Sequence, residues 1–252
     1  VGLPTVVAVG TTGTGTTTAT PALPAGWAVD DIFIMPVETQ NETVTPPAGW
    51  AAVSGGQVIV ATGTITRLDV LWRRAVAGDT DPVITGPVDH VIGRIIAVRG
   101  CMSGNPWNVL AVATELAADT TVSIPGATTT VDNCLVLAMF STGTDIASTT
   151  HVTSWTNASL GSVTERMDDW TASGSGGGFG MATGTLVTKG AYSATTATVT
   201  TANFKALISI ALQGPTPPKG LVNQRSPRPS EQPNVAGPYS QPSSTSQTLP
   251  GG

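Results

Sequence analysis

The sequence predicts an all-β protein, a jelly-roll-like antiparallel β-sandwich that continues into an extended, proline-rich C-terminal arm. Three observations predict it. Thr, Val, Gly and Pro are abundant while charged residues make up only 11% of the 252 positions, against about 25% in an ordinary globular domain. Short β-branched and aliphatic runs alternate with turn residues along most of the chain. At Pro215 the character changes, and every apolar period is lost.

The strands can be taken in order. Leu3 to Val9 reads as the first, and Gly10 to Thr20 as a Thr/Gly loop or a weak edge strand. Ile32 to Val37 is an apolar run of the kind buried on both faces. Pro36 inside it predicts an edge or a bulge at its end, because proline has no N–H for the ladder. Pro46-Pro47-Ala48-Gly49-Trp50 is a turn. Leu68, Val70 and Trp72 alternate with Asp69, Leu71 and Arg73, the period of a half-buried strand. Ile92 to Val98, Leu135 to Phe140 and Phe204 to Leu212 are three further strands, the last chosen over a helix because a Thr-rich run precedes it and Gly-Pro follows. Val109 to Ala118 is the one segment that reads as a helix, with Asn108 as its N-cap.

The body, residues 1–214, divides into two halves that resemble each other, about 1–100 and 129–214. Val29-Asp30-Asp31-Ile32-Phe33-Ile34-Met35 matches Val131-Asp132-Asn133-Cys134-Leu135-Val136-Leu137. Each match is followed by a tryptophan (Trp50, Trp155), a long strand (67–76, 180–189), a short Thr/Val run (82–85, 195–199) and an aliphatic strand (91–98, 204–212). Four or five strands per half give eight to ten in all, the count of a double-sheet jelly roll.

The arm, residues 215–252, holds nine prolines, and its apolar residues stand alone: Leu221, Val222, Val235, Tyr239 and Leu249. A segment without its own core becomes ordered only where something else holds it. These residues, with Arg225 and Arg228, are therefore the expected contacts with a neighbouring chain or another copy. Charge agrees with that division. Residues 1–214 carry 8 basic and 15 acidic side chains, and the arm carries three basic residues and Glu231. A body at −7 is not built to bind nucleic acid, whereas an arm at +2 can lie on the acidic body of a second copy.

No chemistry stands out along the body. His90 and His151 are the only histidines; neither has a second His at metal-ligand spacing, no Gly-x-Ser-x-Gly elbow occurs, and both read as surface or turn residues. Asp79 with Asp81, and Asp168 with Asp169, read as turn aspartates rather than a calcium loop. Gly174 to Gly180 reads as a flexible loop, since no Lys-Ser/Thr ending or helix follows. Cys101 and Cys134 read as small buried hydrophobes, with a single disulfide left open. No catalytic residue, cofactor or metal is expected, nor is a membrane span, which needs about 18 apolar residues. Of the six tryptophans, Trp27 and Trp50 follow Pro-Ala-Gly turns and are expected to plug the sandwich ends. Trp107 and Trp170 lie in loop-like stretches and are the expected glycan or surface contacts.

A recurring order of phrases spans residues 28 to 213: Asp30-Asp31-Ile32-Phe33-Ile34, Thr45-Pro46-Pro47-Ala48-Gly49-Trp50, Leu68-Asp69-Val70-Leu71-Trp72-Arg73-Arg74-Ala75, Ile95-Ile96-Ala97-Val98-Arg99-Gly100, Thr130 to Leu137, Thr164-Glu165-Arg166-Met167 and Ala206 to Leu212. That order resembles the β-sandwich virion proteins of tailed bacteriophages, of the minor-tail or head-decoration type. The resemblance implies a place on the outer virion, partners among other virion proteins and copies of itself, and no catalytic residues. It is compatible with contact to a host-surface glycan. With no basic stretch followed by an apolar core at residue 1, synthesis in the host cytoplasm without a signal peptide is expected. The arm is not part of the resemblance.

Overall fold

The computed structural model describes residues 2–215. The arm residues Leu221, Val222, Arg225, Arg228, Val235, Tyr239 and Leu249 lie outside the described residues. Within them the chain is all β. The first half supplies β1 (Thr5–Val9), β2 (Gly13–Gly15), β3 (Thr18–Ala19), β4 (Ile32–Thr39), β5 (Ala51–Val60), β6 (Thr66–Arg74), β7 (Ile84–Thr85), β8 (Val91–Gly93) and β9 (Ile96–Arg99). The second half supplies β10 (Trp107–Ile124), β11 (Cys134–Thr142), β12 (Val152–Thr156), β13 (Gly161–Thr171), β14 (Gly177–Leu186) and β15 (Thr195–Gln213).

Two antiparallel sheets pack face to face. The first runs β1-β9-β4-β6-β5, with β8 also on β4 and β2 on β8; the second runs β10-β15-β11-β14-β13, with β12 on β15. Each sheet is thus drawn from one half of the chain, and the two orders are the same. First strand, last strand, second long strand and a closing hairpin follow one another in both. The entrances to β4 and β11 are also alike. Asp30 (φ 73°) and Asn133 (φ 60°) take left-handed backbone there, which Asp and Asn tolerate best after glycine. Their amides donate to Ala75 and Val187, each just past the end of the neighbouring strand.

Alternation along the strands explains the layers. Ile32, Ile34, Leu68, Val70, Ile96 and Val98 face Leu135, Leu137, Met139, Phe179, Met181, Ile208 and Ile210 across the sandwich. The opposite faces are not left to water. Over the first sheet, Ala19 of β3, Ile84 of β7, Val44 and Trp50 cover Phe33, Met35, Val37, Leu71 and Ala97. Over the second, Val122 and Ile124 of β10, Val152 of β12, and Ala197 and Val199 of β15 cover Ala138, Phe140, Trp170 and Leu207. Hence β4, β11 and the end of β15 are buried on both faces, as their apolar runs predict. β6 departs from its predicted half-burial, because Leu71 on its outer side is buried too.

Three local expectations are corrected. Val109–Ala118 is part of β10, not a helix: as far as Glu115 it pairs residue by residue with β15, Val112 opposite Ile208. That ladder outweighs the helix propensity of its Ala and Leu residues. Pro36 sits inside a central strand rather than at an edge. Its neighbours on one side change from β9, which pairs with Ile32–Ile34, to β8, which pairs with Val37–Thr39. The missing N–H coincides with that break. Asp168 and Asp169 are not turn residues but buried positions of β13.

The long β10/β15 ribbon bends where its register slips, between Glu115 and Thr121, and folds over the sheet it belongs to. Lys205 fills the bend and is fully buried. Its ammonium donates to Glu115 Oε1 (2.9 Å), Asp119 Oδ1 (3.1 Å) and the carbonyls of Asp119 and Asn203 (both 3.0 Å). One cation thereby replaces ladder bonds that the bulge breaks. In the first half, where β1/β9 gives way to β2/β8, Arg94 Nε donates to the Gly10 carbonyl at 2.7 Å.

Candidate functional site

The residues chosen from sequence separate sharply in space. Trp50 is buried and stacks on Phe33 at 6.1 Å, with Trp27 edge-on to the same ring at 5.5 Å; both are packed as plugs, over the outer face of the first sheet rather than at the sandwich ends. Trp170 is buried, so its assignment as a contact residue is corrected. Its Nε1 donates to Asp168 Oδ1 (2.5 Å), and its ring lies 4.3 Å from His151. Strand alternation, invisible in a stretch that reads as a loop, turns it inward. Trp107 opens β10, half-buried, and meets Trp72 edge-to-face at 5.2 Å.

Both histidines are buried, which corrects their reading as surface or turn residues. His90 is the centre of a polar chain between the sheets. Its Nε2 lies 3.0 Å from Glu38 Oε2, and its Nδ1 2.7 Å from Asp89 Oδ2. Glu38 Oε1 accepts from Thr66 Oγ1 (3.0 Å), which lies 2.8 Å from Ser141 Oγ on the facing sheet. Asp89 also accepts from the Ser175 amide and hydroxyl, which pins the glycine loop expected to be flexible. Gly177 is required here, since a Cβ on it would lie 2.4 Å from Glu38 Oε2. Burial holds Glu38 well above the usual carboxylate range, against the lowering effect of His90 and Thr66. Burial alone would lower His90, but carboxylates on both ring nitrogens outweigh it and raise it to about 9. A Ser–Thr–Glu–His–Asp chain has the groups of acid–base chemistry. Glu38, Thr66, His90 and Ser141 are all fully buried, however, and only Asp89 reaches solvent. The arrangement fastens one sheet to the other.

His151 is a second buried histidine. Nδ1 bonds Thr200 Oγ1 at 2.5 Å, Nε2 has no partner, and burial lowers its pKa, opposed by Asp168. Most of the remaining charges are satisfied internally: Arg67 with Asp69, Arg73 with Asp79, Arg94 with Asp169 and Arg99 with Asp31. Asp79 does shape a turn, accepting from the Val76 amide. No group of three metal-ligating side chains occurs among the described residues. Cys101 and Cys134 are free and buried, and burial pushes their thiols up to about 12 and about 11.

Among the described residues, surface grooves include three of note. One of about 390 Å³ holds Trp50, Arg73, Asp79 and Asp81, but Arg73 and Asp79 spend their charge on each other. One of about 330 Å³ lies where the arm begins, lined by Asp30, Arg74, Cys101, Met102, Ser103 and Pro215. The third, of about 270 Å³, opens between β1 and β13–β14 around Arg166. Among the described residues no helix is long and apolar enough to cross a membrane. No known protein family, curated protein or solved structure matches this chain.

Proposed function

We propose that this chain is a structural, non-enzymatic protein of the outer surface of a tailed-phage virion, on head or tail, held to neighbouring virion subunits by the arm from Pro215. The observation that carries this reading is the contrast between body and arm. The body spends its buried histidines and its carboxylate–arginine pairs on its own strands and turns, and Arg94–Asp169 joins its two sheets. The sequence of the arm holds isolated apolar side chains, two arginines and nine prolines, with no apolar period. Proline restricts the free chain and so lowers the cost of fixing it in a partner's groove. Every phrase of the virion-protein resemblance except the turn 45–50 falls largely on a strand or at its ends, so the resemblance is one of scaffold rather than of reactive site.

Truncation after Pro215 tests the proposal. The shortened protein is expected to unfold at the same temperature as the full chain within about 2 °C, because surface changes away from the core are usually within about 0.5 kcal/mol. It is expected to be missing from purified particles. Normal occupancy of the truncated protein on particles overturns the anchoring role.

A second reading, a module that contacts host-surface glycan, rests on the Arg166 groove and no longer on Trp170.

A further inference from the structure

Of the six arginines in the described residues, five bond a carboxylate or a backbone carbonyl. Arg67, Arg73, Arg94 and Arg99 meet aspartates, and Arg74 meets the carbonyls of Asp30, Met102 and Gly104. Arg166 does neither. Its Nε donates to Thr183 Oγ1 at 2.8 Å, and its two terminal nitrogens make no hydrogen bond with a described residue. It is half-buried on β13, and loss of solvent lowers its pKa. Glu165 beside it on the strand points away, to Trp155 Nε1. A partly desolvated cation without a counter-charge is costly, yet it lies in a body, residues 1–214, whose net charge is −7.

The strand that carries Arg166 is irregular at this point. β13 slips register on β14 twice, between Gly161 and Thr164 and between Glu165 and Met167. Ser162 takes φ 51°, a strained conformation for a non-glycine residue and one that clusters at binding sites. Bulges re-aim side chains next to such sites. The irregularity turns Arg166 into the groove of about 270 Å³, whose walls mix two surfaces. Thr5 and Ser162 present hydroxyls, and Thr164 and Thr185, whose hydroxyls donate to the Ser162 and Gly161 carbonyls, present oxygens that can accept; Leu3, Pro4 and Val6 present C–H groups.

We propose that this groove binds an acidic monosaccharide unit, with the Arg166 fork holding its carboxylate. The guanidinium fork fits a carboxylate in a bidentate pair. One arginine in an acidic body balances a monoanion, not the double charge of a phosphate monoester. The threonine and serine hydroxyls match sugar hydroxyls, and the aliphatic wall matches the C–H face of a pyranose ring. The proposal is independent of the arm, since none of these residues lies beyond 185.

The test is titration of the full chain with D-glucuronate, D-glucose, acetate and inorganic phosphate, followed by amide and arginine Nε–H chemical shifts. Glucuronate is expected to shift the Arg166 Nε–H and the amides of Thr164 and Gly184 saturably. Glucose and acetate are each expected to bind at least about tenfold more weakly, lacking one half of the contacts. R166Q is expected to abolish the effect and R166K to retain a weakened one, with amide signals outside the groove unchanged in both. A T164V variant, which keeps the Arg166–Thr183 bond, is expected to weaken binding severalfold. The absence of a saturable shift with glucuronate, or a shift that survives R166Q, overturns the site. Acetate or phosphate binding as tightly as glucuronate overturns the sugar assignment.

Discussion

Replacing His90 by alanine is expected to cost about 3–5 kcal/mol, the range for removing one partner of a buried ion pair. For a body of this size that is a fall in Tm of roughly 10 °C, measured by calorimetry at pH 7. The loss arises because Glu38 stays behind, fully buried between the sheets, with only Thr66 to solvate it. The double variant H90A/E38Q is expected to recover part of the loss, since it leaves no charge to bury. A single variant with wild-type stability would show that the polar chain does not fasten the sheets.

The same residue sets an alkaline limit. His90 holds its proton more tightly folded (to about 9) than unfolded (6.5). Its contribution is complete below pH 6.5 and is lost as pH rises through about 9. Glu38, also raised, acts in the same direction from 4.5 upward. His151 acts in the opposite sense: its pKa is lowered, so its contribution is present above 6.5 and lost as pH falls. Urea unfolding across pH 5 to 9.5 is therefore expected to show both limbs, with the double variant H90A/E38Q, which removes both raised groups, flattening the alkaline one.

Lys205→Ala is the second large effect, expected at about 3 kcal/mol. The variant strands the carbonyls of Asp119 and Asn203 at the ribbon bend and leaves Glu115, already raised in pKa by burial, without its cation; unsatisfied groups of this kind cost about 1–3 kcal/mol each. Asp119 is half exposed and adds little. Lys205→Met, which restores the bulk but not the donors, is expected to recover only a minor share. Amide exchange should accelerate first in Val122–Ile124 and Thr195–Val199, the part of the ribbon beyond the bend. Uniform acceleration over the body would argue against a local role.

The sequence made the main strands legible because burial on both faces writes an unbroken apolar run, as in Ile32–Val37 and Leu135–Phe140. It hid β10, whose Ala, Leu and Glu residues suit a helix and become strand only through pairing with β15 some 90 residues later. It hid the burial of His90 and Trp170 for a related reason. Each is polar or follows a polar stretch, and what permits burial, Glu38 for His90 and the cover of Val122 and Val199 for Trp170, is remote in sequence. Arg166 was written only as part of a recurring phrase. What distinguishes it is the partner it lacks, which no local pattern encodes.

The shared strand order has a consequence for how the protein is made. The ladder of the first sheet closes at Arg99, using nothing from residue 107 onward. Domains form during synthesis from the N-terminus, at about 5–20 residues per second. A ribosome-bound chain can therefore complete one sheet, and its outer cover, several seconds before the second exists. During that interval Ile34, Val70, Ile96 and Val98 face water rather than the second sheet. The nascent half is at its most adhesive then, and a second copy at the same stage offers the same unpaired face.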